Sequence, residues 1–189
     1  MKIHLGCGTV YLVGYNNVDA NPDFLSSEAD SHTLAENSTT FENYYKHKFG
    51  EGTTKSVADT KGDIRNLPFD DESCDEVVML HVLEHFPAYE VGGLLKEISR
   101  VLKVGGEFIV AVPDTVGNAE LLVNASNEDE VDWAIRLIDG TQRNKWSHHY
   151  CSYTRRSLCE LLEEYEFGDF EPMDNKNFYP AIHIKAKKL

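Results

Sequence analysis

Basic residues are scarce in this chain. Eighteen Lys and Arg face 32 Asp and Glu, giving a formal net charge of −14 at pH 7 and a pI near 4.9. A phosphate backbone or an anionic membrane surface is bound through Lys and Arg, so neither a nucleic acid nor a membrane surface is expected as partner. The only basic clusters are small: Arg155-Arg156 and the tail Lys185, Lys187 and Lys188. Long apolar runs are missing too. Runs such as Phe108–Pro113 are far shorter than the roughly 20 residues needed to span a bilayer. Residues 1–8 read as a core strand rather than a secretory leader. Cysteine is sparse, with four residues (Cys7, Cys74, Cys151, Cys159) and no CxxC. That spacing shows no disulfide framework, and predicts reduced thiols in a cytoplasmic setting. No coiled-coil heptad or long exposed apolar strand marks a self-association surface.

What remains is an ordinary soluble composition in 189 residues, enough for one domain with a sizeable core. A single domain over 1–189 is expected. Its first nineteen residues carry the strongest signal. A short apolar run, Ile3-His4-Leu5, ends in Gly6-Cys7-Gly8, and a second run, Asn17-Val18, ends in Asp19. This reads as strand, glycine turn, short connection, strand, acidic tip. Glycine lets the backbone turn sharply and approach a ligand, and a carboxylate at a strand tip can accept from a ribose diol. The stretch from Thr9 to Asn16 is too short for a crossover helix; at most a helical turn ending at Gly14 is expected.

Further along, Val57–Asp63 predicts a third strand. Glu76–Leu80 is apolar throughout, as in a strand buried on both faces. Leu94, Leu95, Ile98, Val101 and Leu102 mark a helix face, with Gly105-Gly106 as its expected stop. Glu107–Val112 predicts a strand, and Val131–Ile138 a helix among polar loops. Thr154 is placed to cap a helix from Arg155 to Tyr165. Phe167–Met173 and Ala181–Ala186 predict a closing strand pair. Strands alternating with helices imply an α/β layered sheet. Residues 22–56 are polar around an aromatic piece, Phe41, Tyr44, Tyr45 and Phe49, and a helix is expected to start near Thr40. A lid over a substrate pocket and a surface helix packed on the sheet both fit.

Four segments in this order resemble class I S-adenosylmethionine-dependent methyltransferases: LGCGT at 5–9, NVD at 17–19, GDIRNLPFDDESCDEVVMLHVLEHF at 62–86 and EISRVLKVGGEFIVAVPD at 97–114. A fainter similarity continues through 148–167. The resemblance implies a Rossmann-like three-layer sandwich with a mostly parallel seven-stranded sheet and an antiparallel C-terminal hairpin at its edge. It implies S-adenosylmethionine as cofactor and S-adenosylhomocysteine as product. Gly6, Cys7 and Gly8 would turn against the cofactor, Asp19 would bind the ribose hydroxyls, Asp63 and Ile64 would flank the adenine, and Leu80 and His81 would flank the methionine portion. Three departures stand out, the first being the unusually short first crossover. His4 occupies the usually acidic position two before the first glycine, and Val10 replaces a common third glycine.

Methyl transfer needs alignment and water exclusion more than covalent chemistry, though many acceptors need a base. His81 and His85 are the candidate bases, and His149 a candidate for positioning the acceptor; the plainer alternatives are a His85 that caps or hydrogen-bonds within its loop and a His149 solvated in a surface loop. Trp133 and Trp146 read as packing residues. The acceptor is expected to be a small molecule or a saccharide, and no metal is expected. A cofactor-binding protein without catalysis is the alternative from another class. A second alternative is a zinc hydrolase, because His81-Val82-Leu83-Glu84-His85 spells H-x-x-E-H. That signature needs both imidazoles on one helix with a third ligand sought among Glu160, Glu163 and Glu164, and Pro87 follows too closely for such a helix.

Overall fold

The computed structural model describes residues 1–20, 38–46, 58–175 and 177–189. Its strands are β1 (Lys2–Leu5), β2 (Tyr11–Leu12), β3 (Asn16–Asp19), β4 (Ser38–Thr39), β5 (Thr60–Lys61), β6 (Cys74–Leu80), β7 (Leu102–Pro113), β8 (Phe167–Pro172) and β9 (Ala181–Lys188). Its helices are α1 (Ala88–Val101), α2 (Thr115–Val123), α3 (Glu128–Asp139) and α4 (Arg155–Glu163). Seven strands form one sheet in the order β5-β3-β1-β6-β7-β9-β8. All neighbours are parallel up to β7, and β9 runs antiparallel to both β7 and β8. This is the mostly parallel Rossmann-like sheet with a C-terminal antiparallel pair at one edge.

The order places β1 and β6 at the centre, and their sequences show why. Ile3, Leu5, Val77 and Met79 point to one face, into a cluster with Leu94, Leu95 and Ile98 of α1 and Leu158 and Leu162 of α4. Val78 and Leu80 point to the other face and pack with Leu12, Ile109 and Ala111. A strand covered on both sides needs apolar residues at every position, which is the pattern of Val77–Leu80. Leu94, Leu95 and Ile98 are fully buried, each contributing roughly 1.5–3 kcal/mol by area removed from water. On the second face the partly buried residues covering the cluster are Tyr15, Phe41, Tyr44 and Met173.

Several local expectations are corrected. The connection after the glycine turn holds no helical turn; Tyr11-Leu12 instead pairs in parallel with Ser38-Thr39. Phe41–Lys46 winds as a 3-10 helix; Phe49, Lys48 and most of the expected lid at 22–56 lie outside the described residues. Gly105-Gly106 does not stop α1, which already ends at Val101 with Leu102 extended. The two glycines sit within β7, where the register to β6 shifts between Cys74 and Glu76. Helix α2 is an addition to the sequence reading. It starts directly after β7, where the Asp114 carboxylate accepts from the Val116 amide at 3.2 Å. The cap of α4 is as expected: the Thr154 hydroxyl accepts from the Ser157 amide at 3.1 Å, and the Ser157 hydroxyl accepts from the Thr154 amide at 2.9 Å.

Candidate functional site

The carboxyl ends of β1, β3 and β6 meet at one edge of the sheet, where open parallel sheets bind ligands. After β1 the chain turns at Gly6, with φ of +63°. The Gly6 and Cys7 amides donate to the Val18 carbonyl at 2.9 and 3.2 Å, which ties the turn to the end of β3. A Cβ on Gly6 would lie 2.5 Å from Val82 Cγ2, so this position has no room for a side chain. The Gly8 amide donates to Asp19 Oδ2 at 2.8 Å. That bond orients a carboxylate that is only 7% exposed at the mouth of a cavity.

This first cavity, of about 240 Å³, is lined by Gly6, Gly8, Asp19, Asp63, Ile64 and His81, and also by Ala20, Arg65, Val82, His85, Phe86 and Trp146. The structure therefore gathers the glycine turn, the strand-tip acid and the Asp63-Ile64 pair around one space. Cys7 and Leu80 place their side chains in the protein interior, Leu80 within the cluster on the second sheet face. Asp63 is clamped by Arg65, whose Nε donates to both carboxylate oxygens and whose Nη2 donates to Oδ2, at 2.6–3.1 Å. Those bonds hold the Asp63 carboxyl below its ordinary value. Arg65 also reaches Glu90 at 2.7 Å.

His4 explains itself structurally. Its ring is fully buried, with Nδ1 2.9 Å from Asn17 Oδ1. The same oxygen accepts from the Leu12 amide, and the Asn17 amide group donates to the Leu12 and Tyr15 carbonyls. An oxygen acceptor requires the proton on His4 Nδ1. Burial pushes the His4 pKa down to about 4, against the opposing bond to Asn17. The residue at the usually acidic position is thus a neutral brace between β1 and β3.

Beyond β6 the chain makes an unusual step. His81 adopts φ of +56°, a conformation that costs a non-glycine residue about 1–2 kcal/mol. Its amide donates to the Ala111 carbonyl at 2.8 Å, and Asn177 Nδ2 stands 2.9 Å from its Nε2. Tyr45 and Tyr179 place their hydroxyls 3.5 Å from the same nitrogen. Residues Leu83–His85 then form a single 3-10 turn, and α1 begins only after Pro87. The H-x-x-E-H segment is thus not an α-helix, and the Arg156-paired Glu160 lies on the exposed face of α4.

A second cavity, of about 310 Å³, adjoins the first and shares His81, His85 and Trp146 with it. Its remaining wall includes Glu84, Arg136, Thr141, His149 and Tyr179. His149 thus lies on the side away from the glycine turn. Burial lowers its pKa. Glu84 is only 1% exposed. Burial opposes its charge, but His81 and His85 outweigh that and hold its carboxyl below the ordinary value. Trp146, expected as packing, lines both cavities; no local periodicity marks it, because the loop that carries it meets the site only through tertiary folding.

Relatives share this framework. A family described as "Methyltransferase domain" matches residues 3–110. The chain is 29% identical over 120 residues to the sterol 24-C-methyltransferase of Schizosaccharomyces pombe, covering 64% of this chain and 31% of that protein. It is 42% identical over 62 residues to the demethylmenaquinone methyltransferase of Staphylococcus carnosus, covering 31% and 25%. The matched stretches thus span less than a third of these relatives. Among solved structures, magnesium protoporphyrin IX methyltransferase from Synechocystis PCC 6803 with bound SAH superposes with a TM-score of 0.56 at 12% identity, over 100% of this chain and 74% of that one. A SAM-dependent methyltransferase from Thermotoga maritima gives 0.54 at 16% identity, over 100% and 82%. At such identities the superpositions speak for the fold, while the family match spans more than half of the sequence: the chain belongs to the methyltransferase-domain family.

Proposed function

We propose that the chain transfers a methyl group from S-adenosylmethionine, bound in the first cavity, to a small hydroxyl-bearing acceptor in the second. The observation that carries this reading is the shared wall. The two cavities meet at His81, His85 and Trp146, and methyl transfer needs the acceptor in line with an already activated sulfonium. Asp19, oriented by Gly8, accepts from the ribose hydroxyls. Asp63 and Ile64 take the adenine, with Arg65 fixing the Asp63 plane. Gly6 lets the backbone pass close to the sugar and the amino-acid portion. His81 stands between the two sites, and Phe86 and Trp146 exclude water.

The relatives' names include a sterol and demethylmenaquinone, which supports a small molecule rather than a macromolecule as acceptor. The wall with Arg136, Thr141, Ser147 and His149 favours a polar acceptor such as a saccharide. Calorimetry with S-adenosylmethionine and S-adenosylhomocysteine tests the donor half. Failure of both to bind folded protein at millimolar concentration overturns the reading. An acceptor screen that follows S-adenosylhomocysteine release tests the other half; binding without release across hydroxylated small molecules assigns the chain to cofactor binding alone.

A further inference from the structure

Glu84, His85 and His149 come together from two segments more than sixty residues apart. One ligand atom from each lies within 4.8 Å of the others. We propose that these three side chains form a site for one divalent transition-metal ion of the zinc class, open toward the second cavity, where the ion binds the acceptor's hydroxyl oxygen.

Three features support the site. The Glu84 carboxylate is buried, and neither oxygen accepts a hydrogen bond among the described residues; His81 Nδ1 stands 3.5 Å from Oε1. A buried carboxylate whose nearest opposite charge is this long His81 contact is costly, and a bound cation supplies a direct partner. The second feature is the setting of both imidazoles. His85 Nδ1 lies 2.9 Å from the His148 carbonyl, and His149 Nδ1 lies 3.1 Å from the Ile138 carbonyl. A carbonyl only accepts, so both Nδ1 atoms carry the proton and both Nε2 lone pairs remain for a ligand. Backbone carbonyls orient metal-bound histidines in this way. The third feature is how the two segments are joined. The Glu84 carbonyl accepts from the Tyr150 and Cys151 amides at 2.8 and 3.3 Å, which fixes the 81–86 turn against the chain that carries His149.

Two imidazoles and one carboxylate, without thiolate, suit zinc and its neighbours rather than the all-oxygen shells of calcium or magnesium. Ligands about 2.1 Å from a tetrahedral ion stand roughly 3.4 Å apart, so small side-chain rotations close the set. Three protein ligands leave a coordination position free, and all three side chains line the second cavity. The acceptor step rests on the methyl-transfer reading above. The ion withdraws charge from the hydroxyl oxygen, whose proton leaves to solvent. That oxygen forms a bond to the methyl carbon, the carbon–sulfur bond breaks, and its electron pair stays on sulfur, so the sulfonium becomes a neutral thioether. This assignment gives His85 and His149 the role of ligands in place of base and acceptor clamp, and departs from the expectation of a metal-free site.

The test uses the full chain stripped of metal by chelator and titrated with Zn²⁺ alone. One ion per chain is expected, with affinity lowered at least about 100-fold in Glu84→Gln and in His149→Gln. Imidazole nitrogen spectra of the unaltered protein should show Zn²⁺ on Nε2 of His85 and His149 with both Nδ1 protons retained; this measurement holds even if a variant fails to fold. No stoichiometric binding, or binding that leaves those two Nε2 resonances unmoved, overturns the site. S-adenosylmethionine affinity of the metal-free protein is measured separately. Failure there overturns the cofactor reading and leaves the metal titration to stand or fall by itself.

Discussion

His4 offers a quantitative test of how the centre of the sheet is built. Its ring is enclosed by Asn17 on β3 and, edge-on, by Tyr44 at 6.0 Å, and its neighbour in register on β6 is Val78. None of these offers a charge to stabilise an imidazolium. In the unfolded chain the ring titrates near 6.5, and in the native protein near 4. The native pKa is the lower one, so the stabilising effect is complete above pH 6.5 and is lost as pH falls toward 4, because only the unfolded chain takes the proton in that window. At roughly 1.4 kcal/mol per pH unit, native stability should fall by about 2.5 kcal/mol between pH 7.5 and 4.5 from this residue alone. Denaturant unfolding at several pH values, compared with His4→Asn, isolates it. The Asn amide keeps a donor toward Asn17 but does not titrate, so its packing cost is the same at every pH. A difference between the two proteins that stays constant from pH 7.5 to 4.5 would refute the buried, neutral brace. So would a His4 pKa near 6.5 by NMR. The functional stake is the amino-acid end of the cofactor, which on this account receives no charge from position 4.

Three further outcomes follow from the geometry. Asp19→Ala should weaken S-adenosylmethionine binding about 10- to 100-fold, the worth of hydrogen bonds to a charged group; unchanged calorimetric affinity would remove Asp19 from the ribose site. Gly6→Ala places a Cβ 2.5 Å from Val82 at φ +63°, so a loss of roughly 1–3 kcal/mol in denaturant unfolding is expected. Adding Val82→Ala should recover part of it, and no recovery would mean the strain lies elsewhere. Gly140→Ala meets the Ser147 carbonyl at 2.2 Å, also at positive φ. It should displace the His149 loop and lower turnover at least about tenfold while leaving cofactor affinity intact; equal kinetics in a methyl-transfer assay would show that this close approach does not seat the loop.

Much of the fold was legible because its signals are local and repeat. Val77–Leu80 is apolar at every position, Leu94, Leu95 and Ile98 share a helix face, and Thr154 sits one residue before its helix. The glycine turn and Asp19 were readable for the same reason, since the partners of the Gly8–Asp19 bond lie only eleven positions apart. Where the reading failed, a local rule met a tertiary demand. Gly105-Gly106 carries the composition of a helix stop, yet the register shift against β6 uses it as an irregularity within a strand. Tyr11-Leu12 forms strand pairs because Ser38-Thr39 lies beside it, a partner that no local pattern announces. Helix α2 has little amphipathic contrast, with Val116 and Val123 exposed, so only its Asp114 cap signals it.

The same distinction divides the candidate site. The first cavity draws on residues 6–20, 63–65, 81–86 and Trp146, and the second adds residues from 113 to 179. The family match ends at residue 110, so it covers nearly all of the first cavity's lining and little of the second's. Close backbone approach and a strand-tip carboxylate need glycines and an acid at fixed places in a short stretch, which a sequence displays directly. The wall of the second cavity draws largely on side chains of α3, the loop after it and the segment before β9, which meet only through tertiary folding. His81 and His85 line both cavities, in a segment held by the Ala111 carbonyl on one side and by Tyr150 and Cys151 on the other. Substitutions at Arg136, Thr141 or His149 should therefore alter acceptor use with little change in cofactor affinity, whereas changes within 81–86 should disturb both together.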